Sequence, residues 1–270
     1  RRLQRYIAAR LGPLPGWTMG YGFDLHEWTN GEQLNAWASY LHEHMGWQHL
    51  LCARGYPLKG PHNINAYDGF GRNVPLATTR HGPQSYEEVV EDLESDVTKP
   101  HLYEERHSYL RDGFDLDMDG TRRLLWWEAM AGGMGGFFGF YPDSPHPYPN
   151  PEQLRMHYEF WHEGSRFLLD MHPANHIADD GHVLWSPATA SGVFYAPDAE
   201  VLTVRAPEPT QVTAFDTLGG REASGQDVAV VPSGSGQFTL AAPVSNPVYA
   251  VGDFARAGET SEEVHALVTV

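Results

Sequence analysis

Two kinds of periodicity divide this chain. Helical and strand patterns alternate up to about residue 175. After that the helical patterns stop and short alternating apolar runs take over. A period of 3.6 buries a helix stripe and a period of 2 buries one face of a sheet, so the change of pattern marks an expected domain boundary.

In the first region, residues 2–11 predict a helix with Leu3, Tyr6, Ile7 and Leu11 on one face, ended by Gly12 and Pro13. Residues 16–21 predict a strand. Thr29 or Asn30 caps a helix that runs to about residue 45, with Leu34, Trp37, Ala38 and Leu41 as its buried stripe and Gly46 as its stop. A second strand covers 47–53, a Gly- and Asn-rich loop 54–73, and a third strand 74–79. An acidic helix covers 85–93, and a fourth strand, 101–105, follows Lys99-Pro100. Asp119 or Thr121 opens a helix with Leu124, Leu125 and Trp127. A fifth strand covers 135–141, and Pro151 sits in the first turn of a helix running to about residue 171. This order predicts an α/β fold with a parallel sheet.

In the second region, apolar runs at 192–195, 201–204, 211–215, 228–231, 238–241 and 248–251 are separated by turn residues roughly ten residues apart. They predict a small antiparallel β-sandwich. The expected division is therefore 1–175 and 176–270, with no assignment for 257–270.

Several function classes are disfavoured. With 35 Asp and Glu against 18 Lys and Arg, the net charge is −17, which argues against nucleic acid or an anionic membrane as partner. A solvated acidic surface accounts for the charge without a cationic ligand. Cys52 is the only cysteine, so no internal disulfide and no cysteine zinc site can form. Its setting, Leu50-Leu51-Cys52-Ala53, predicts a buried, inert thiol. No apolar stretch reaches transmembrane length. Arg1-Arg2-Leu3-Gln4-Arg5-Tyr6-Ile7 is not a signal peptide but reads as the inside of an amphipathic helix, so the chain is expected to begin within a fold.

No nucleotide-binding glycine motif follows the first strand. The run Gly132-Gly133-Met134-Gly135-Gly136 lies between helix and strand, the wrong order for a phosphate cradle, and reads as close packing at a strand. No cofactor is expected. Among 15 histidines, His42, His44 and His49 cluster, but His42 and His44 point about 200° apart on a helix, and no metal is expected. Asp115-Leu116-Asp117-Met118-Asp119-Gly120 matches half an EF-hand loop. Its twelfth position is Trp126 where a bidentate Glu is required, so it reads as an acidic helix N-terminus, with an irregular calcium site as the alternative.

The chemistry concentrates in two segments. Gly22-Phe23-Asp24-Leu25-His26-Glu27-Trp28 and Lys99-Pro100-His101-Leu102-Tyr103-Glu104-Glu105-Arg106 each place carboxylates where a strand should end. A retaining glycosidase needs one protonated carboxyl to assist the leaving group and one ionised carboxylate to attack, about 5 Å apart. Strand ends converge at the C-terminal face of a barrel and can meet that spacing. Asp24 and Glu27 are the candidates from the first segment, Glu104 and Glu105 from the second. Trp17, Tyr21, Trp28 and Tyr103 supply apolar faces on which sugar rings stack. Arg54 and His81 are placed to hydrogen-bond hydroxyls or the nucleophile, and Tyr67 and Asp68 to line the rim.

With these residues in hand, the chain resembles the C-terminal part of the apiosidase-like glycoside hydrolases, which are barrel enzymes followed by a small β-domain of the collagen-binding type. Arg5-Tyr6-Ile7-Ala8-Ala9-Arg10-Leu11-Gly12 with Trp17-Thr18-Met19-Gly20 is similar to the family's approach to its fourth barrel strand. Lys99-Pro100 through Glu104-Glu105-Arg106 resembles the seventh strand and its nucleophile. The segment from Arg122-Arg123 through Trp126-Trp127-Glu128 to Gly139 resembles the helix into the eighth strand. Gly192-Val193-Phe194-Tyr195-Ala196-Pro197 and Ala214-Phe215-Asp216-Thr217-Leu218-Gly219-Gly220 resemble the β-domain, with Phe215 where a tryptophan is usual.

The resemblance implies a partial (β/α)8 TIM barrel, strands 4–8, followed by the sandwich. It implies Arg106 as a substrate-binding residue, and its Glu-x-Arg pattern favours Glu104 as nucleophile, while distance from Lys99-Pro100 favours Glu105. Many members place Asn-Glu directly after the fourth strand. Here Tyr21-Gly22 stands there, and Glu27 ranks ahead of Asp24 as acid/base. Five strands cannot close a barrel of eight, so a second chain or further polypeptide is expected to complete it. The expected activity is retaining hydrolysis of a plant or microbial polysaccharide. The alternatives are a non-catalytic carbohydrate-binding or structural partner subunit and, more weakly, a lyase with a Tyr or His base.

Overall fold

A computed structural model of the chain describes residues 2–21, 25, 28–47, 49–53, 65–68, 86–95, 98–106, 118–137, 151–163, 171–209, 211–218, 225–234 and 236–252. The chain divides into two units, Arg1–Leu116 with Gly133–Ser144, and Asp117–Gly132 with Pro145–Val270, so the division does not fall at a single point in the sequence.

In the first unit, α1 (Arg2–Arg10), β1 (Thr18–Gly20), α2 (Gly31–His44) and β2 (Leu50–Cys52) follow in order. α2 starts where Asn30, in extended backbone, accepts a 3.0 Å hydrogen bond from the Gln33 amide. Glu32 complements the positive end of the helix. After α2, Gly46 turns the chain at φ +89°, a conformation that favours glycine. β1 and β2 pair in parallel, Thr18 opposite Leu50 and Gly20 opposite Cys52, with α2 as the crossover. Ala8, Ala38, Leu41, Met45 and Leu51 form the core beneath, with Ile7 packed against it.

The expected face of α1 is a correction. Leu3, Tyr6 and Leu11 are 70%, 60% and 40% exposed, and the helix packs through Ala8 and Ile7. The small alanine lets α1 lie close to α2, which turns the longer apolar side chains outward. Gly12 permits the same closeness, since a Cβ there would stand 2.7 Å from the Met45 carbonyl oxygen.

The same unit contains β3 (Asn65–Asp68), α3 (Tyr86–Ser95), β4 (His101–Arg106) and β5 (Met134–Phe137). The three strands form a parallel sheet with β4 in the centre; Asn65 pairs with His101 and Leu102 with Met134. β3 corrects the loop expected at 54–73, because pairing with β4 makes a strand of a segment whose own sequence shows no strand pattern. The strand expected at 74–79 lies outside the described residues.

The second unit opens with α4 (Met118–Met130) and α5 (Pro151–Tyr158). α5 widens into a π-helical turn at Glu159–Glu163, and the stretch 164–170, over which the helix was expected to continue, lies outside the described residues. Then come β6 (His172–Pro173), β7 (His182–Ser186), β8 (Ser191–Tyr195), β9 (Val201–Val204) and β10 (Val212–Asp216). β11 (Gln226–Asp227), β12 (Val230–Gly234), β13 (Gln237–Ala241) and β14 (Pro247–Val251) complete the chain order. A six-stranded antiparallel sheet, β11-β10-β14-β8-β7-β6, and a three-stranded one, β12-β13-β9, share one core. Val183, Trp185, Phe194, Tyr249 and Val251 from the first sheet belong to the same core as Leu202, Val204, Phe238 and Leu240 from the second.

α4 packs on the opposite face of the larger sheet: Trp126 stacks on Tyr195 with ring centroids 5.3 Å apart. That second cover explains why every residue of β8 and β14 is buried. The tail from 257 lies outside the described residues. Among the described residues, no helix is long and apolar enough to cross a membrane.

Candidate active site

The parallel sheet gathers one group of candidates on adjacent strand ends. Tyr67 pairs with Tyr103 and Asp68 with Glu104 across β3 and β4. On the other side of β4, the register with β5 shifts between Tyr103 and Arg106, so an irregularity spans Glu104 and Glu105. Such irregularities re-aim side chains and are over-represented next to active sites. The backbone thus brings Tyr67, Asp68, Tyr103, Glu104, Glu105 and Arg106 to one end of one sheet.

Asp24, Glu27, Arg54 and His81 lie outside the described residues. Tyr21, directly after β1, is half-buried against the edge of Trp37, with centroids 5.9 Å apart. Burial, with a smaller contribution from Cys52, raises its phenol well above the ordinary tyrosine range. Tyr21 therefore stays protonated at neutral pH. It can exchange hydrogen bonds as a phenol. Cys52 is buried against Leu102, as its apolar surroundings predicted.

Trp17 precedes β1 and so stands at the opposite end of that strand from Tyr21. Its indole stacks on His49 at 4.0 Å and donates to the Leu11 carbonyl at 2.9 Å. Trp47 Nε1 donates to the Gly12 carbonyl at 2.6 Å, and His49 Nε2 lies 2.8 Å from the same oxygen. The ring of Trp17 is thus engaged in closing the turn after α1.

The aromatic pair that periodicity did not reveal is Trp28 with Trp37. The two rings stack at 5.9 Å with 28° between their planes, and Trp28 is 55% exposed. Spacing alone assigns Trp37 to the buried stripe of α2; its contact with Trp28 crosses the helix cap, which no periodicity encodes.

No group of three His, Cys, Asp or Glu side chains converges on a metal position among the described residues. His42 Nε2 meets the His49 carbonyl at 3.1 Å, and His44 stacks on Tyr40 at 4.1 Å. Asp119 is engaged as a helix N-terminal acid: it pairs with Arg122 and, at 2.6 Å, with Arg123. Arg123 also grips Asp198 through two bonds of 2.6 and 2.7 Å. Those bonds hold the guanidinium above, and the Asp198 carboxyl below, their ordinary pKa ranges.

No family model matches the chain, and no curated protein matches its sequence. Among solved structures it is similar to a bacterial fucosidase bound to a phenyltriazole-substituted pyrrolidine inhibitor, with 14% identity and a TM-score of 0.50 over 92% of this chain and 57% of that one. An α-L-fucosidase of glycoside hydrolase family 29 from Bacteroides thetaiotaomicron matches with 14% identity and a TM-score of 0.47 over 93% of this chain and 60% of that one. A family 30 endoxylanase from Clostridium papyrosolvens C71 follows with 10% identity and a TM-score of 0.27 over 86% and 72%. The likeness at 0.50 is one of fold. The chain spans between 57% and 60% of the length of the fucosidase chains it matches.

Proposed function

We propose that the chain is part of a retaining glycoside hydrolase, with residues 1–175 belonging to a (β/α)8 barrel as its strands 4–8 and residues 176–270 forming a β-sandwich accessory domain. In this reading Glu27 is the acid/base, with Asp24 as its rival. Glu104 is the nucleophile, with Glu105 as its rival. Tyr21, Tyr67, Tyr103 and Arg106, with Arg54 and His81, contact a neutral sugar of a plant or microbial polysaccharide.

The observation that carries the proposal is the pairing of β4 between two parallel strands, which sets Glu104-Glu105-Arg106 at a strand end beside Asp68. Catalytic carboxylates of barrel enzymes occupy such ends. The fold likeness to a fucosidase supports the same class. The exposure of Leu3, Tyr6, Leu11 and Leu14 supports further polypeptide or a second chain packing against α1.

The test is hydrolysis of aryl glycosides by the wild type, Glu27→Gln, Glu104→Gln and Glu105→Gln, with the anomer of the first product read by NMR. Removing the nucleophile should lower kcat by about a thousandfold or more, and the first product should retain its configuration. Activity left intact in both Glu104→Gln and Glu105→Gln would end the nucleophile assignment. Glycan binding without turnover, even with a partner chain present, would favour a non-catalytic subunit.

A further inference from the structure

We infer that Trp28 is a preformed stacking platform for a sugar ring of a neutral glycan. The inference deepens the proposed function: it rests on carbohydrate as the substrate class, not on the assignment of any catalytic carboxylate.

Trp28 is a large apolar side chain left 55% exposed, yet its position is fixed from several sides. The amides of Trp28 and Thr29 both donate to the Leu25 carbonyl, at 3.2 and 2.8 Å. Leu25 is 1% exposed and belongs to a small core with Leu34 and Ala53, against which Tyr21 and Trp37 pack. Trp37 stacks on the Trp28 ring at 5.9 Å and is itself braced edge-on by Tyr21 at 5.9 Å. The helix cap at Asn30 begins two residues later, so the following backbone is fixed as well. A braced indole loses little conformational entropy when a ligand covers it, whereas a mobile exposed tryptophan would lose much more.

Ligands that stack on an exposed indole include nucleobases, apolar side chains of a protein partner, and the C–H faces of sugars. The net charge of −17 opposes a nucleic-acid phosphate backbone. Thr29 and Asn30, the described polar residues that follow Trp28 directly, carry uncharged hydrogen-bonding groups: the Thr29 hydroxyl donates to Gln33 Oε1 at 2.9 Å, and the Asn30 side chain accepts from the Gln33 amide. An apolar plane beside neutral donors and acceptors matches a ring with one C–H face and a hydroxyl rim.

The experiment titrates the full chain with xylotetraose, cellotetraose, galactotetraose and arabinotetraose, following tryptophan fluorescence and the protection of Trp28 from N-bromosuccinimide. Wild type, Trp28→Ala and Trp28→Tyr are compared. At least one tetraose should protect Trp28, lose on the order of tenfold in affinity with Trp28→Ala, and recover most of it with Trp28→Tyr. Equal affinity in wild type and Trp28→Ala would overturn the inference. So would a failure of every tetraose to protect Trp28, or its protection only by a protein partner. Trp28-dependent binding without hydrolysis would remove the catalytic proposal and leave this one standing. Hydrolysis unaffected by Trp28→Ala would do the reverse.

Discussion

Every residue of β8 and β14 is buried, whereas two of the three residues of β1 are exposed and β2 begins with an exposed Leu50. The antiparallel strands are covered on both faces within their own unit, by the smaller sheet on one side and by α4 on the other. The parallel strands are short, and part of the apolar surface around them, Leu3, Tyr6, Leu11 and Leu14, faces solvent. Among the described residues, the densest packing and the candidate catalytic residues thus fall in different parts of this chain. The core clusters described beside β1 and β2 are small, the core shared by the two antiparallel sheets is large, and the strand-end carboxylates belong to the parallel sheet. Substitutions that read stability in one region and local order in the other can break or sharpen that contrast.

The largest effect is expected at Trp126. Its side chain is fully buried, stacked on Tyr195 and in edge contact with His157 at 4.9 Å and Phe160 at 5.2 Å. Trp126→Ala should cost about 3–5 kcal/mol, read as an earlier urea transition in the near-UV circular dichroism. Trp28→Ala should stay within about 0.5 kcal/mol of wild type, because the ring it removes is largely in water already. Equal losses at the two tryptophans would break the comparison.

A second, slightly smaller effect should appear with acid. His157 is half-buried as a side chain, but its Nε2 is fully enclosed. Burial pushes its pKa down from 6.5 to about 4, against the opposing pull of a hydrogen bond with the Leu125 backbone. The unfolded chain therefore takes up this proton at a higher pH than the folded one. The stability contribution is whole above 6.5 and is lost as the pH falls toward about 4, on the order of 3 kcal/mol across that window. Urea midpoints at pH 7, 5.5 and 4.5 should fall for the wild type and fall less for His157→Phe. Parallel slopes for the two proteins would show that other groups govern the acid transition.

These two residues also mark where the sequence stops being legible. α2 could be read because its cap, its Leu34, Ala38 and Leu41 spacing and its terminal Gly46 all agree. β9 and β13 could be read because their burial alternates. β7 escaped notice for the opposite reason: its last four residues are all buried, so His182-Val183-Leu184-Trp185-Ser186 has no period of 2 to detect. Trp126 was likewise passed over for Trp127, since the choice depends on which face of α4 meets the sheet. In the candidate site, the carboxylates at the end of β4 were legible as strand-end acids. The choice between Glu104 and Glu105 was not, because it turns on a register shift against β5 that local sequence does not carry.

A smaller loss than either is expected from the helix cap in the parallel region, where it tests local order more than global stability. Asn30 supplies the side-chain oxygen for the Gln33 amide, and its carbonyl accepts from the Leu34 amide at 3.0 Å, so the first turn of α2 depends on this one residue. Asn30→Ala should cost about 1 kcal/mol, while Asn30→Asp, which keeps the acceptor, should restore nearly all of it. The same cap follows the turn that fixes Trp28 and begins the helix that positions Trp37, so its loss should loosen the aromatic pair before it unfolds anything. Hydrogen exchange provides the measurement: the Gln33 and Leu34 amides should exchange faster in Asn30→Ala, while those of β8 and β14 stay protected. Faster exchange in all four places would mean that the two regions unfold as one, and the contrast between a densely packed region and a locally ordered one would not hold.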